Sequence, residues 1–569
     1  MKRLIAIIIL LVTLLGTVPA LAEETDPLLT ALDAYHAYDP IPPFDPPVDL
    51  NTVNYITMTA AEMKYSPWLD VYREYLGVNL HYEWIMPLSQ FDNRINGEIA
   101  AQKLPDIMPV NYVQLSQLID AGLIQPLTNV WEDGASELTK RMYEEGGYET
   151  SFAAATRDGE LWAIPLVTPV KETVRAMYVR QDWMDQLQLK APETLDELLA
   201  FCEAFATQDP DGDGVNDTYA IALYSSLWGD YTADLSGFAN SFGAYPNIWI
   251  EKNGRIEYGG IQPEAKEMLR VLAEWYQKGY IDKDFTLYSL SDVMDQFARG
   301  KYGVMYGTHI AMLDGGQVLY RNDPSFEAAV LPLPEVSQTG YGALAYDNTG
   351  SYYVVRKGYE HPEVLIQLFN CIHFFASSSP DGLTKDDMDL TFWDETLWTG
   401  GPGGRFPWNN AYLRPETIHN NIWRSQVVDK ALETGAKEDI DVALSTGLSK
   451  VLYEEALMHK TQGKEMRLSD DPVVLSTASE NWLHANRGKH YDIANQVYGD
   501  NLVTDKRGGI ITDSIVDYWE SLYTLQLTTY TAIITGQKPV DEFDRFVETW
   551  YAMGGDWITD DINEAYYAK

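Results

Sequence analysis

Alternating short apolar runs and helical patterns organise the chain from Val53 onward. The apolar run at residues 54–58 is followed by a helical pattern at 67–76, and the same order recurs over residues 81–102. A further buried strand is expected at residues 105–108. Strands alternating with helices predict an α/β domain with a largely parallel sheet, in which ligands lie beyond the carboxyl ends of the strands.

A second unit of the same kind begins with a short predicted strand at residues 175–180. Thr194 and Glu197 follow at capping-box spacing, and apolar residues recur behind them at helical spacing as far as Phe205. Helical patterning then dominates from about Pro415 to the end of the sequence. The pattern therefore predicts two α/β units and an additional helical region, with no internal repeat of fixed period.

The first 22 residues have the three parts of a secretory signal peptide. Two basic residues precede a run of 15 mostly apolar residues at 4–18, and Ala20 and Ala22 stand at small-x-small spacing. This run is shorter than the roughly 20 residues that span a bilayer. We expect cleavage after Ala22, and an uncleaved membrane anchor is the alternative. Residues 23–50 are acidic and proline-rich, which predicts an extended linker.

Composition and charge narrow the range of partners. The 569 residues carry a net charge of −43, which repels nucleic acid and anionic membrane surfaces. Taken together, the 37 tyrosines and 16 tryptophans outnumber the 17 phenylalanines. Rings that carry a polar group suit partly solvated surfaces such as a sugar-binding cleft. Cys202 and Cys371 lie far from the predicted cleavage site, so neither is placed to carry a lipid anchor. The sequence allows two alternatives for this pair: a disulfide between them, or two buried free thiols.

Short phrases in a constant order resemble one family of transport proteins. They stand at residues 99–107, 158–165, 179–184, 209–214, 297–303 and 534–537. Each phrase alone is weak. Their order and spacing resemble the extracellular solute-binding proteins of family 1, in particular the long oligosaccharide-binding members, over nearly all of the chain from Val53 to Tyr567.

The resemblance implies a type II periplasmic-binding fold with extra C-terminal helices. In this fold, two α/β lobes joined by hinge-crossing segments close over a ligand held between them. Hinges are expected near residues 167–170 and 332–334, where prolines restrict the backbone. The predicted first lobe comprises residues 51–168 and 335–375, and the predicted second lobe comprises residues 169–327 and 376–569.

An acidic loop after the Phe205 helix has the spacing of calcium ligands. Carboxylates at positions 1, 3, 5 and 9, a glycine at position 6 and a carbonyl at position 7 are the pattern of a calcium loop. Position 12 is Ala220 rather than a glutamate, and position 10, where related proteins can carry an acid, is Thr218. We expect a structural calcium ion here, and a solvated Asp/Gly turn is the alternative. The candidate ligands are Asp209, Asp211, Asp213, Val215 and Asp217.

Candidate ligand-binding residues are aromatic or polar residues near predicted strand ends. A flat aromatic face beside hydrogen-bonding groups matches the apolar face and hydroxylated edge of a sugar. Packing in a core is the alternative for each ring taken singly. The candidates are Asn111, Tyr112, Trp162, Trp228, Tyr231, Tyr306, His309 and Trp408.

The sequence thus predicts an exported, monomeric solute-binding protein that captures an oligosaccharide and delivers it to a separate ABC-type permease. No zinc-protease, nucleophile-elbow, phosphate-loop or Cys-x-x-Cys motif points to an enzyme. A secreted glycoside hydrolase remains an alternative, because its chemistry needs only two suitably spaced carboxylates and the chain has 84 acidic residues. A second alternative is a receptor of the same fold that binds a peptide or a lipid-like ligand. The sequence does not specify the sugar, its length or its linkage.

Overall fold

The computed structural model describes most of the chain. The described residues are 42–55, 67–145, 149–168, 170–228, 231–313, 315–334, 342–344, 348–376, 412–413, 420–443, 447–499, 501–507, 510 and 512–567. The predicted signal peptide and Trp408 lie outside them.

The described part contains short strands and longer helices in alternation, followed by a helical region. The strands are β1 (Val48–Tyr55), β2 (Val78–Met86), β3 (Ile107–Val110), β4 (Thr156–Arg157), β5 (Glu160–Leu161), β6 (Ile164–Thr168), β7 (Ala176–Arg180), β8 (Tyr219–Ile221), β9 (Trp249–Lys252), β10 (Arg255–Tyr258), β11 (Tyr302–Gly307), β12 (Ala328–Leu331), β13 (Ala343–Leu344), β14 (Asn348–Val355) and β15 (Leu502–Val503). The helices are α1 (Pro67–Tyr75), α2 (Leu88–Ala101), α3 (Tyr112–Asp120), α4 (Thr128–Gly134), α5 (Glu137–Glu145), α6 (Glu149–Ala155), α7 (Gln181–Leu187), α8 (Leu195–Thr207), α9 (Leu235–Asn240), α10 (Pro263–Lys278), α11 (Leu290–Ala298), α12 (Gly315–Asn322), α13 (Glu363–Ala376), α14 (Asn420–Thr434), α15 (Lys437–Ala443), α16 (Gly447–Arg467), α17 (Pro472–Asp492), α18 (Asp513–Ile534), α19 (Glu542–Trp550) and α20 (Asp556–Tyr567).

The first lobe is built on a five-stranded sheet in the order β2-β1-β3-β14-β6. β1 runs parallel to β2 and β3, whereas β14 runs antiparallel to β3 and β6. The linker predicted for residues 23–50 is too long at its end, because residues 48–50 already belong to β1. Leu50 is fully buried and pairs with Leu80 of β2, so its apolar side chain is held in the sheet.

The second lobe is built on a four-stranded sheet in the order β12-β7-β11-β8. All residues of β7 and β11 are buried, because helices cover this sheet. The predicted cap of α8 is confirmed, since the Thr194 side chain accepts a hydrogen bond from the Glu197 backbone N–H. In a capping box, the Glu197 carboxylate would accept a hydrogen bond from the backbone N–H of Thr194. Here it accepts one from the N–H of the preceding residue, Glu193.

Among the described strands, two connections cross from one sheet to the other. The first leaves β6, passes through the 3-10 turn Val170–Thr173 and enters β7. The second leaves β12 and reaches β14. The hinges predicted near residues 167–170 and 332–334 fall in these two connections. The arrangement is therefore a pair of α/β lobes joined by crossing segments, as the sequence predicts.

The C-terminal helices pack mainly on the second lobe. α17 lies against β12 and α12, and α18 lies against α10. Residues 412 and 413 differ from the predicted assignment of 376–569 to the second lobe, because both are buried in the core of the first. The hydroxyl of Thr52 in β1 donates to the Tyr412 hydroxyl at 2.6 Å, which fixes this short stretch on the first sheet.

Cys202 and Cys371 are free and buried in the cores of different lobes. Burial raises the pKa of both thiols far above the ordinary value, so they behave as apolar residues. Of the two alternatives for these cysteines, buried thiols are confirmed. Among the described helices, none is both long and apolar enough to cross a lipid bilayer.

Candidate functional site

The end of β11 meets the first crossing segment at His309. Its Nδ1 lies 3.4 Å from the backbone oxygen of Glu172, and its ring centroid lies 5.1 Å from that of Tyr491 in α17. Burial, assisted by the nearby Arg487 guanidinium, lowers the pKa of His309 to about 3. His309 is therefore neutral at physiological pH and can offer hydrogen bonds, but not charge, to a ligand.

His490 in α17 joins the helical region to the second sheet. The Tyr178 hydroxyl in β7 donates to the Thr308 carbonyl at 2.8 Å and lies 3.0 Å from Nδ1 of His490. Because the single hydroxyl proton is used on Thr308, His490 Nδ1 carries the proton and donates to the Tyr178 oxygen. Burial, assisted by His309, lowers the pKa of His490 strongly, so both rings are neutral.

A buried ion pair fixes the backbone where the first crossing segment enters the second lobe. Arg175 Nε and one terminal nitrogen both donate to the same Asp234 carboxylate oxygen, at 2.8 and 2.6 Å. The two side chains are 5% and 0% exposed. The other Asp234 oxygen accepts from the N–H of Ser236 and caps α9. Removing either partner would leave a buried charge unpaired, so this pair holds the segment rigidly.

Tyr498 lies between both crossing segments. Its hydroxyl donates to the Arg175 carbonyl at 3.1 Å and accepts from the Leu333 backbone N–H at 2.9 Å. Tyr498 ends the π-helical turn Ile493–Tyr498, which continues α17. The helical region is thus hydrogen-bonded to both connections between the lobes.

A recess opens between α14, α16 and α17, with Tyr491 in its lining. Its empty volume is about 460 Å³, including space open to solvent. It combines apolar side chains with Tyr491 and a few polar groups. The lining residues are Ser425, Val428, Asp429, Leu452, Ala456, His484, Ala485, Arg487, Gly488 and Tyr491.

The first-lobe candidates lie at opposite ends of its sheet: Asn111 and Tyr112 follow β3 at the carboxyl side, whereas Trp162 precedes β6, which runs parallel to β3, and so lies at the amino side. Asn111 follows β3, but its side chain forms a capping box with Gln114 at the start of α3, so its amide is already engaged. Tyr112 is half-buried with its ring edge-to-face with Tyr352, at 5.8 Å. Trp162 is also half-buried, and its Nε1 donates to the Arg157 carbonyl at 3.3 Å.

Two of the second-lobe candidates are core residues in this structure. Trp228 and Tyr306 are each 2% exposed, so neither presents a ring face to a ligand. Trp228 packs edge-to-face on Tyr530 at 5.4 Å, and Tyr306 packs on Gly237, whose hydrogen leaves room for the ring. This corrects the prediction that both rings line a cleft. The error arises because a strand-end aromatic looks the same in sequence whether it points outward or into the core.

The remaining candidates have different positions. Tyr231 is half-buried, and its backbone oxygen accepts from the N–H of Thr308 at 2.8 Å, which places Tyr231 beside His309. Trp408 lies outside the described residues. The sequence reasoning missed Arg487 and Tyr491. The signal for them was the basic stretch from Arg487 to His490 in a strongly acidic chain.

The acidic loop brings three of its four aspartates together. Asp209, Asp211 and Asp213 place carboxylate oxygens within 4.8 Å of one another. Burial and repulsion from Asp213 raise the pKa of Asp211. Asp217 is held apart, because one of its oxygens pairs with Lys301 at 2.5 Å.

Two oxygens of this loop have no partner among the described residues. Oδ1 of Asp209 and Oδ1 of Asp217 are buried without a hydrogen-bond donor. Unsatisfied, mutually repelling oxygens are what a hard cation such as calcium neutralises. The loop therefore fits a calcium ion at Asp209, Asp211 and Asp213.

The chain is similar to several known binding proteins. It is 27% identical over 514 residues to the polygalacturonan/rhamnogalacturonan-binding protein YtcQ of Bacillus subtilis, covering 86% of this chain and 85% of the relative. The structure of a solute-binding protein of Bifidobacterium longum infantis, described as HMO-binding, has a TM-score of 0.60 at 13% identity and covers 91% of this chain and 98% of that one. The FusA protein of Streptococcus pneumoniae in complex with kestose has a TM-score of 0.60 at 16% identity and covers 92% and 99%.

These likenesses agree with the resemblance of the ordered phrases and with the two-lobed fold. A family profile matches residues 64–372, more than half of the chain. The chain belongs to the family of bacterial extracellular solute-binding proteins.

Proposed function

We propose that this protein captures an oligosaccharide between its two lobes and delivers it to the membrane permease of an ABC-type importer. The observation that carries the proposal is family membership combined with a chain that crosses between two α/β sheets, the arrangement that allows hinge closure around a ligand. The ligands named for the similar proteins are polygalacturonan, rhamnogalacturonan and kestose. All three are carbohydrates of more than one sugar residue.

The exposed edges of the crossing region are where such a ligand would be held. Tyr112 of the first lobe, and Tyr231 and His309 of the second, are half-buried and are the candidates best placed to contact it. Trp162 is half-buried as well, but it lies before the start of β6, at the opposite end of the first sheet from the crossing segment. A neutral His309 suits an uncharged hydroxyl group. Asn111, already engaged in its capping box, would contribute through the position of α3 and not through free amide groups.

Ligand binding by the purified protein tests this function. Thermal shift and calorimetry with oligogalacturonides, fructooligosaccharides and milk oligosaccharides should yield at least one ligand that binds saturably and raises the melting temperature. Chromatography of the incubated sugar should show no shortened product. A shortened product would favour the glycoside hydrolase, and failure of every sugar combined with binding of a peptide or lipid would favour the other receptor.

We also propose export with removal of residues 1–22. The extracellular character of the family and the signal-peptide pattern support this location. Mass spectrometry of the protein recovered from outside the cytoplasm should give an N-terminus at Glu23. An N-terminus at Met1 would favour the uncleaved anchor.

The acidic loop is proposed to bind calcium as a structural ion. The support is the cluster of Asp209, Asp211 and Asp213 together with the orphaned oxygens of Asp209 and Asp217. Chelator should lower the melting temperature and calcium should restore it, since the ion binds only the folded loop. Asp211→Asn should reduce both effects, whereas Asp560→Asn, at an exposed position of α20, should not. If elemental analysis finds no calcium and chelator does not change the melting temperature, the loop is a solvated Asp/Gly turn.

A further inference from the structure

The recess between α14, α16 and α17 has the composition of a sugar subsite. Its lining includes the apolar side chains of Val428, Leu452 and Ala456 together with Tyr491. Ser425, Asp429, His484 and Arg487 contribute polar groups to the same lining. A pyranose ring has an apolar C–H face and a hydroxylated edge, so it can pack on the first set and hydrogen-bond to the second.

Arg487 differs from the other enclosed arginines. Arg175, Arg180 and Arg467 each form an ion pair with a carboxylate. Arg487 has no carboxylate partner within the described part of the chain, and its Nε is buried without an acceptor. The chain has 84 acidic residues for 41 basic ones. A half-buried guanidinium that has no carboxylate partner among the described residues of so acidic a protein therefore points to an external anion.

The shape of the guanidinium favours a carboxylate. Its planar fork of N–H donors matches the two oxygens of a carboxylate, and such charge-assisted pairs are stronger than neutral hydrogen bonds. His484 on the recess wall is already paired with Glu455, and the Asp429 carboxylate accepts from the Ser425 hydroxyl at 3.3 Å. The Asp429 carboxylate can accept a hydrogen bond donated by a hydroxyl of the same sugar residue. Of the basic side chains that line the recess, only Arg487 has no carboxylate partner among the described residues.

The recess also adjoins the crossing region. Tyr491 lines it and packs at 5.1 Å from His309, the candidate contact at the end of β11. The recess and the crossing region therefore share the Tyr491 ring as a common neighbour.

We propose that this recess binds a carboxylate-bearing sugar residue of the captured oligosaccharide, with Arg487 as the partner of the carboxylate. The inference rests on the proposed function, because it names the substrate class of the same capture process. It assigns uronic-acid oligosaccharides as ligands.

Calorimetry with matched ligands tests the inference. The probes are trigalacturonate and its carboxyl-reduced, neutral form, each titrated into the wild-type protein, Arg487→Gln and Arg487→Lys. The wild type should bind trigalacturonate more tightly. Arg487→Gln should lose on the order of tenfold or more in affinity for trigalacturonate and little for the neutral form, because it removes a charged hydrogen-bond partner. Arg487→Lys should fall between them, since it keeps the charge and loses the fork.

Two controls keep the outcomes separate. Arg270→Gln, at an exposed position of α10, should change neither affinity, and circular dichroism should show that every variant is folded. Equal losses for both ligands in Arg487→Gln, or a wild type that binds neutral oligosaccharides but not trigalacturonate, would overturn the uronic-acid inference and leave the proposed function standing. A wild type that binds no oligosaccharide would overturn both.

Discussion

Single residues in this protein show how surroundings determine a role that residue type leaves open. Tyr306 and Tyr491 are both buried tyrosines near the crossing region, yet the first packs on Gly237 and the second forms part of the lining of a recess. His309 and His490 are both held neutral by burial. The sequence identified His309 as a candidate but could not indicate its charge state.

Asp429 should lower the stability of the folded protein at neutral pH. Burial, followed by repulsion from Asp492 and Glu433, raises its pKa to about 6, although Ser425 and Lys489 act in the opposite direction. A raised carboxyl pKa means that stability is lost as pH rises through the interval between the ordinary value and about 6.

The variant Asp429→Asn tests this effect. Its gain in unfolding free energy should be on the order of 1 kcal/mol at about pH 7.5, allowing for partial exposure, and should shrink toward about pH 4.5, where the wild-type group is protonated. Melting temperatures of both proteins at the two pH values measure it. A gain of equal size at both would show that the charge of Asp429 is not the cause.

Gly303 in β11 should not tolerate a methyl group. A Cβ there would lie 2.2 Å from the ring of Phe205, which is fully buried in α8. We expect Gly303→Ala to cost about 1–3 kcal/mol by overpacking. Gly97→Ala is the matched control: it lies within α2 with no neighbouring atom near the new methyl group, so it should gain up to about 1 kcal/mol. Denaturant unfolding of the two variants compares them directly.

At the level of elements, α17 and the turn that follows it connect the helical region to β7 and to both crossing segments. His490 bonds Tyr178 of β7, and Tyr498 bonds both crossing segments. Helices of this kind are ordinary in sequence, because their apolar patterns show that one face is buried but not against what. Only the packed structure identifies the crossing segments as their contact.

The variant Tyr498→Phe should loosen both crossing segments. Without the hydroxyl, the Leu333 N–H and the Arg175 carbonyl lose a buried partner, which should cost about 1–3 kcal/mol. Hydrogen exchange near Leu333 should accelerate. Tyr276→Phe, which removes an exposed hydroxyl bonded to the Lys283 carbonyl, should change neither stability nor exchange there. Unchanged protection in Tyr498→Phe would show that the crossing segments are held by other contacts.

For the whole molecule, the large negative charge opposes the compact state. With a net charge of −43, like charges repel across both lobes and the helical region. Added salt screens this repulsion within about 10 Å at 0.1 M. We expect the melting temperature to rise as sodium chloride increases from low to moderate concentration. Sucrose at matched osmolality separates screening from general exclusion effects, and a flat salt response would contradict the idea.

The sequence by itself determined the α/β class, the two-unit order, the helical C-terminal region, the family and the acidic loop. These follow from local patterns, namely hydrophobic period, capping residues and ordered phrases, which neighbouring residues along the chain specify. The cap at Thr194 is an example, since its partner is three residues away.

Only the tertiary structure decided which side chains meet across long separations. It placed Cys202 and Cys371 in different cores and buried Trp228 and Tyr306. It also paired Asp217 with Lys301, and it left Arg487 without a carboxylate partner among the described residues. The physical reason is that burial and charge pairing depend on neighbours brought together by packing, and a strand-end aromatic or an arginine has the same local pattern in either environment.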